Sequence, residues 1–247
     1  MPKKSKFYGY EIRSLIITPS EKHLLCGSDM SSLEDTTKQH YMYFFDPEYV
    51  KQMRIPGFDP HIDICILANF LTQEEVDFFK WYNKTKKEVE KGLSQNVFTL
   101  EEKSKADHII EVRSKGKTVN FAGIYGAGPA KIAKTANMSL DLAKQLHKIY
   151  WSRNKSVKQV ANSCRVKTIT IDGESEMWLF NPISNFWCPL RYEKDKFSVL
   201  NQSSGVFVFD LFIRYVREQD IKIQMQMHDE IVFSFLKGEQ ETICLLY

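Results

Sequence analysis

The hydrophobic period of the chain changes at Val166, and this change constrains the fold more than any other feature. Residues 130–135, 140–151 and 156–163 repeat apolar side chains at helical spacing, whereas the following residues alternate with a period of two around Asp172-Gly173. Asp-Gly supplies the positive backbone angles of a tight hairpin turn. The sequence therefore predicts a β-hairpin after a long helical segment, followed by a further helix over 197–218, in an α+β fold.

A second hairpin is predicted near the end of the sequence. Residues 221–227 and 231–235 alternate on either side of His228-Asp229-Glu230. A plain hairpin would carry Asn-Gly or Asp-Gly at this position. Sequences depart from local rules most often at functional sites, so Asp229, at the hairpin tip, is a candidate functional residue.

A carboxylate also ends a strand near the start of the sequence. Residues 10–18 and 23–29 read as two short strands around Pro19-Ser20, and Asp29 is the last residue of the second one. A carboxylate at a strand end is a common metal-ligand position, but it is also an ordinary turn or cap residue. Two carboxylates brought together, Asp29 and Asp229, can hold two magnesium ions about 3.5–4 Å apart.

The helical segment has clear start signals. Thr72-x-x-Glu75 and Thr99-x-x-Glu102 are capping boxes, and Asp59 followed by Pro60 is typical of an N-cap and first helical position. His61 then lies in a first turn, where a solvated histidine is the ordinary alternative to a ligand-binding one. The many lysines between residues 84 and 115 alternate with acidic residues, which predicts a solvated face.

Residues 113–125 place two cations and two aromatic rings four residues apart: Arg113, Lys117, Phe121 and Tyr125. On a helix each step of four overshoots a full turn by about 40°, so the side chains form one winding stripe. Arginine and lysine can hold phosphate oxygens, and aromatic faces suit a sugar and a base. The pattern predicts a nucleoside triphosphate site; an ordinary surface helix with a core-facing end is the alternative.

Composition excludes several classes of protein. The 247 residues carry a net charge of only +3, so a nucleic-acid surface would have to be local. Five scattered cysteines without a CxxC pair argue against a disulfide framework or zinc site and predict a reducing compartment. The sequence has no apolar run of about 18 residues and no signal-peptide pattern, which predicts a cytoplasmic protein without a membrane span.

Three motifs resemble those of family A DNA polymerases, of the DNA polymerase I type, and most closely the replicative enzymes of short-tailed phages. Ser28-Asp29-Met30-Ser31-Ser32-Leu33-Glu34 resembles motif A, Arg113-x3-Lys117-x3-Phe121-x3-Tyr125-Gly126 resembles motif B, and His228-Asp229-Glu230 resembles motif C. Gln202-Ser-Ser-Gly205, Asp59-Pro-His61 and Gly9-x-Glu-Ile-Arg13 are similar to further family segments. The resemblance covers residues 9–236.

The resemblance implies a role for each matching residue. Asp29 and Asp229 would bind two Mg²⁺ ions, with the Met30 carbonyl as a further ligand and Glu230 as an auxiliary acid. Glu34 would be the steric gate against ribonucleotides. The residues that would contact the incoming dNTP are His61, Arg113, Lys117, Phe121 and Tyr125. Those that would contact primer–template DNA are Arg13, Gln202 and His228.

The implied architecture is the palm and fingers portion of a right-hand polymerase. We expect an antiparallel palm sheet from residues 1–45 (motif A) and 166–247 (motif C), with a helical fingers insertion at 46–165 (motif B). A thumb and an exonuclease domain are not expected in this sequence, so a separate chain is an expected partner beside primer–template DNA and dNTPs. If the gene is phage-encoded, the compartment is the bacterial cytoplasm.

Two other functions are compatible with parts of the pattern. A single-subunit RNA polymerase shares the Arg-x3-Lys-x7-Tyr-Gly skeleton, but Glu34, Phe121 and Glu230 favour DNA synthesis. A non-catalytic or partner-dependent subunit of a split polymerase, which binds primer–template DNA, is the second alternative. Every catalytic position expected in the palm and fingers portion is present, which argues against an inactive, decayed remnant of a polymerase.

Overall fold

The structure, a computed structural model, describes residues 9–245, apart from the side chains of Ile12, Arg13, Ile171, Thr242, Cys244 and Leu245. Its helices, in chain order, are α1 Gly9–Ser14, α2 Leu33–Met42, α3 Pro47–Met53, α4 Pro60–Leu67, α5 Gln73–Glu90, α6 Leu100–Ile124, α7 Pro129–Thr135, α8 Leu140–Arg153, α9 Lys155–Ser163, α10 Lys196–Glu218 and α11 Gln240–Leu245. Its strands are β1 His23–Asp29, β2 Val166–Ile171, β3 Glu174–Asn181, β4 Phe186–Leu190, β5 Ile223–Met227 and β6 Glu230–Leu236.

The chain packs as two compact units. Of the described residues, the first unit comprises 9–37, 180–188 and 200–245, and the second comprises 38–179 and 189–199. The predicted α+β class with an antiparallel sheet is confirmed, whereas the predicted boundaries of palm and fingers remain a prediction. Among residues 9–245, none of the helices combines the length and apolar character needed to cross a membrane.

The first unit is built on an antiparallel sheet with strand order β1-β6-β5. β1 pairs along its whole length with β6, from His23 opposite Leu236 to Asp29 opposite Glu230. Apolar residues of α10 pack against the buried face of this sheet, with Phe209 and Ile213 contacting the cluster around Ile231 and Phe233. The pairing explains why two segments from opposite ends of the chain meet.

The second unit is a helical body centred on α6. The predicted capping boxes at Thr72 and Thr99 are both present, so α5 and α6 begin where the sequence indicates. α6 ends at a Schellman motif, in which Ala127 N donates to Ala122 O at 2.8 Å and Gly126 adopts a φ of +63°. The 25 residues of α6 form one buried face and one face that is open to solvent.

The buried face of α6 carries two glycines that allow close helix packing. A Cβ at Gly116 would overlap the carbonyl oxygen of His61 on α4, and one at Gly123 would overlap the ring of Tyr150 on α8. Asn120, between them, is 4% exposed. This face fixes the position of α4, and with it that of His61.

The first predicted strand is wrong. Residues 9–14 form α1, and no described strand pairs with residues 15–18. Tyr10, Leu15 and Ile17 are 66%, 78% and 71% exposed. β-branched residues favour strands only where a neighbouring strand offers packing, and none of the strands within residues 9–245 offers it to this segment. The predicted hairpin at Asp172-Gly173 is confirmed, with φ of +52° and +84° at its two turn residues.

Candidate functional site

In the first unit, the predicted metal-binding residues meet at one end of the β1-β6-β5 sheet. Asp29 is the last residue of β1 and lies opposite Glu230, the first residue of β6. The backbone amide of Met30 donates to the carbonyl oxygen of Asp229 at 3.0 Å. Sheet pairing thus brings Asp29, Met30, Asp229 and Glu230 together, although motif A and motif C lie far apart in the sequence.

Asp229 is held in a two-residue turn between β5 and β6. Met227 pairs with Glu230, so only His228 and Asp229 form the loop. His228 has a φ of +53°, a region in which hairpins of this kind prefer glycine at the first turn position. The hairpin predicted from the alternating strands is confirmed, and of its two turn residues His228 is exposed and Asp229 is half-buried.

The donor chemistry at this sheet end suits magnesium. Among the described residues, no group of three His, Cys, Asp or Glu side chains is arranged to hold a metal ion. Magnesium is ordinarily held by one or two carboxylates plus waters and substrate phosphates, and it prefers oxygen ligands. Two carboxylates and a backbone carbonyl meet that requirement without a full protein cage.

Glu34 is held near the start of α2 through its backbone. Its carbonyl oxygen accepts hydrogen bonds from Asn201 Nδ2 at 2.9 Å and from Thr37 Oγ1 at 3.1 Å, while its side chain is exposed. Asn201 lies on α10 and is only 2% exposed. Asn201 was not among the residues predicted from the sequence, although an asparagine beside Gln202 in an apolar helix is a recognisable signal.

Gln202, a predicted DNA contact, is exposed on α10. The two serines after it are anchored by Asn181, whose Nδ2 donates to Ser203 Oγ at 2.7 Å and to Ser204 Oγ at 3.0 Å. These bonds fix the rotation of α10 at Gln202. Arg13 is another predicted DNA contact, and its side chain is among those that the structure does not describe.

In the second unit, the cation–aromatic stripe is formed as predicted. Arg113, Lys117 and Phe121 lie on α6, and Tyr125 is its C-cap. Lys117 Nζ lies 5.7 Å from the centroid of the Phe121 ring, and the His61 ring lies 5.9 Å from the same ring. Phe121 and Tyr125 are 39% and 40% exposed, so both rings keep a face available to a ligand.

An open cleft of about 420 Å³ lies along this stripe, between α6 and α7. Lys117, Phe121 and Tyr125 line it from α6, and Lys131 and Thr135 line it from α7. Lys131 adds a cation that lies outside motif B. The cleft is of a size that holds small ligands.

Arg113 is fixed by Asp59, which precedes α4. Its Nε donates to Asp59 Oδ2 at 2.6 Å. The other carboxylate oxygen, Oδ1, caps α4 by accepting from His61 N at 2.9 Å and from Ile62 N at 3.3 Å. The predicted N-cap role of Asp59 is confirmed, and its ion pair with Arg113 is an addition that no local pattern indicated.

His61 is half-buried beside these groups, and its Nδ1 lies 3.2 Å from Asn120 Nδ2. Asn120 Nδ2 also donates to Pro60 O at 3.0 Å and to Gly116 O at 3.2 Å. Because an amide nitrogen only donates, His61 Nδ1 is the acceptor in its contact with Asn120. Burial lowers the pKa of His61 below its usual value; Asp59 opposes this change, whereas Arg113, Lys117 and Lys38 reinforce it. His61 is therefore a neutral imidazole at pH 7, with Nε2–H as its remaining donor.

The free energy of unfolding is expected to fall as the pH drops below 6.5. His61 in the unfolded chain takes up a proton near that pH, whereas folded His61 resists it, so protons favour unfolding between the two pKa values. The loss should be smaller in His61→Gln than in the wild type and unchanged in His108→Gln, which alters an exposed histidine of α6. Urea unfolding at pH 5.5 and 7.5 measures it; equal losses in the wild type and His61→Gln would contradict the assignment.

No protein-family model matches the chain. Two curated relatives are DNA polymerase I of Helicobacter pylori strain 26695 and of strain J99, each 26% identical over 186 residues. These matches cover 69% of this chain and 21% and 20% of the respective relatives, so the chain spans about a fifth of their length.

A solved structure shares the fold. The polymerase domain of Pol1 from M. smegmatis, in complex with DNA primer-template and dNTP, matches 92% of this chain and 36% of its own chain, with a TM-score of 0.57 and 16% identity. The fold is therefore that of a polymerase domain. Together with the two relatives, it confirms the predicted resemblance to family A DNA polymerases of the DNA polymerase I type.

Proposed function

We propose that this chain carries out template-directed DNA synthesis, transferring a nucleotide from a dNTP to a primer 3′-hydroxyl. The observation that carries the proposal is the meeting of Asp29 and Asp229 at one sheet end, in the order and spacing of motifs A and C. The chain also carries the full Arg-Lys-Phe-Tyr stripe of motif B on one helix. The similarity to DNA polymerase I supports the same activity.

Each side chain has a defined part in this proposal. Asp29 and Asp229, with the Met30 carbonyl, would hold two magnesium ions, and Glu230 would act as an auxiliary acid beside them. Magnesium, when bound, would lower the pKa of the primer hydroxyl and neutralise charge on the triphosphate. Arg113, Lys117 and neutral His61 would bind the phosphates, and this positioning supplies much of what phosphoryl transfer requires.

The nucleobase and template contacts follow from exposed rings and polar side chains. Phe121 would pack near the sugar and Tyr125 near the templating base, since both rings are partly exposed in the cleft. Gln202, His228 and Arg13 would contact primer–template DNA. A phage origin belongs to this proposal as well.

Primer extension by the purified 247-residue chain tests the proposal. The assay contains a labelled primer–template, magnesium and the four dNTPs, and a parallel reaction contains the four NTPs. Extension in the dNTP reaction but not in the NTP reaction supports DNA synthesis. Extension in the NTP reaction supports the RNA polymerase alternative. A folded chain that binds primer–template DNA but adds no nucleotide would favour a partner-dependent or non-catalytic subunit.

Shortening Glu34 to alanine is expected to increase ribonucleotide incorporation by about tenfold or more, because its side chain would occupy the space that a ribose 2′-hydroxyl needs. Its backbone bonds to Asn201 and Thr37 would remain. The ratio of kcat/KM for a dNTP and the matching NTP is the measurement. Asp35→Ala, one residue further on, is the control, and an unchanged ratio in Glu34→Ala would remove the gate role.

A further inference from the structure

We propose that Asp59 is the positioning residue of the triphosphate site, and that it aims both Arg113 and His61 at the phosphates. The inference rests on the proposed function, because it assigns Arg113 to the triphosphate. Asp59 itself touches no substrate in this proposal. It acts through the side chains of Arg113 and His61.

The two oxygens of Asp59 have separate partners. Oδ2 accepts from Arg113 Nε at 2.6 Å, which is short for a charge-assisted hydrogen bond. Oδ1 accepts from the first backbone amides of α4, those of His61 and Ile62. One carboxylate therefore sets the start of the helix that carries His61 and the direction of the guanidinium group on α6.

The Nε contact leaves the phosphate-binding end of Arg113 available. A guanidinium group has five N–H donors, and Asp59 uses the one nearest the stem. Four remain on the two terminal nitrogens, which are the ones that grip phosphate oxygens as a fork. The side chain of Arg113 is 36% exposed and that of Asp59 is 23% exposed, so the pair is partly shielded and retains an open side.

The rest of the α4–α6 contact supports the same orientation. Gly116 lets α6 approach the carbonyl of His61, and Asn120 Nδ2 reaches Pro60 O at 3.0 Å. Arg113, Gly116 and Asn120 thus meet the N-terminal end of α4 at three successive points along α6. Asp59 supplies the only carboxylate among these contacts within the described residues.

Two opposing effects of Asp59 on phosphate affinity can be separated. Its negative charge would repel a triphosphate, whereas its ion pair removes the rotational freedom of Arg113 before the ligand arrives. Oδ1 is satisfied by two amides at a helix N-terminus and Oδ2 by a cation, so the charge is largely compensated. The fixed orientation of Arg113 therefore raises phosphate affinity more than the negative charge of Asp59 lowers it.

Asp59→Asn is the discriminating variant, because asparagine keeps the helix cap but places a neutral amide before Arg113. Calorimetric titration of the full chain with magnesium and dATP is expected to show an affinity about tenfold lower, and inorganic tripolyphosphate should show a similar loss. In primer extension, KM for dATP should rise by a similar factor while kcat changes little. Thermal unfolding should stay close to that of the wild type.

Asp46→Asn is the matched control. Asp46 also precedes a proline and caps a helix, accepting from Tyr49 N at 3.1 Å, so the same change there should leave dATP affinity unaltered. A double-mutant cycle provides the second check: in an Arg113→Ala background, Asp59→Asn should cause no further loss.

Each outcome decides the question. Unchanged or tighter dATP binding by Asp59→Asn, or an equal loss in the Arg113→Ala background, would overturn the positioning role. Failure of the wild-type chain to bind dATP would overturn it as well. Binding that depends on Asp59 in a chain that cannot extend a primer would uphold the inference while contradicting the proposed synthesis.

Discussion

Replacing Asp229 by asparagine is expected to reduce primer extension about a thousandfold, equivalent to about 4 kcal/mol of transition-state stabilisation. Asparagine has nearly the same shape but lacks the negative charge that a magnesium ion requires. The turn itself tolerates the change, since asparagine is as common as aspartate in tight turns. Asp29→Asn should have an effect of the same size.

The hairpin at Asp172 offers a control of the same chemistry. Asp172→Asn also changes a carboxylate in a two-residue turn, between β2 and β3, but in a different sheet from Asp229. This variant should extend primers like the wild type, and all three variants should unfold at similar temperatures. Synthesis by Asp29→Asn or Asp229→Asn above about a tenth of the wild-type rate would contradict the metal assignment.

Adding a methyl group at Gly123 is expected to destabilise the fold by about 2 kcal/mol relative to the same change at Gly205. A Cβ at Gly123 would overlap the ring of Tyr150, which is 0% exposed and packed in the α6–α7–α8 core. At Gly205, inside α10, the nearest atoms are Leu33 side-chain carbons at 3.5 Å, an ordinary contact.

Both alanines gain about 1 kcal/mol of helix propensity, so the comparison isolates the steric effect. Thermal unfolding should place the midpoint of Gly123→Ala about 5 °C below that of Gly205→Ala. Equal midpoints would show that Tyr150 can move aside, and that α6 and α8 are less tightly packed than the contact distances indicate.

Features encoded by a few neighbouring residues were predictable from the sequence. The capping boxes at Thr72 and Thr99, the N-cap at Asp59 and the Asp172-Gly173 turn each depend on residues within one turn of chain. The Arg113–Tyr125 stripe follows from spacing within a single helix. Local chemistry determines these elements, and the rest of the fold agrees with it.

Features that depend on distant partners were missed or wrong. Residues 10–18 have strand-like composition but no described partner strand, so part of this segment forms α1 instead. β4 contains Pro189, which argues against a strand in general but is tolerated at the edge of the β2-β3-β4 sheet. The Asp59–Arg113 ion pair and the Asn201–Glu34 bond join residues from different helices, which no sequence window contains.

The pairing of β1 with β6 has a consequence for the order in which the protein matures on the ribosome. β1 is made early, but its partner strand emerges only after α10 has been synthesised. Domains fold as their residues become available, and long-range strand pairing is slow because its loop must close first. The helices around α6 can therefore pack before β6 has been synthesised and can pair with β1. The nascent chain would complete α6, which carries the Arg113–Tyr125 stripe, before Asp29 and Asp229 meet, so the sheet end that holds both aspartates would form last.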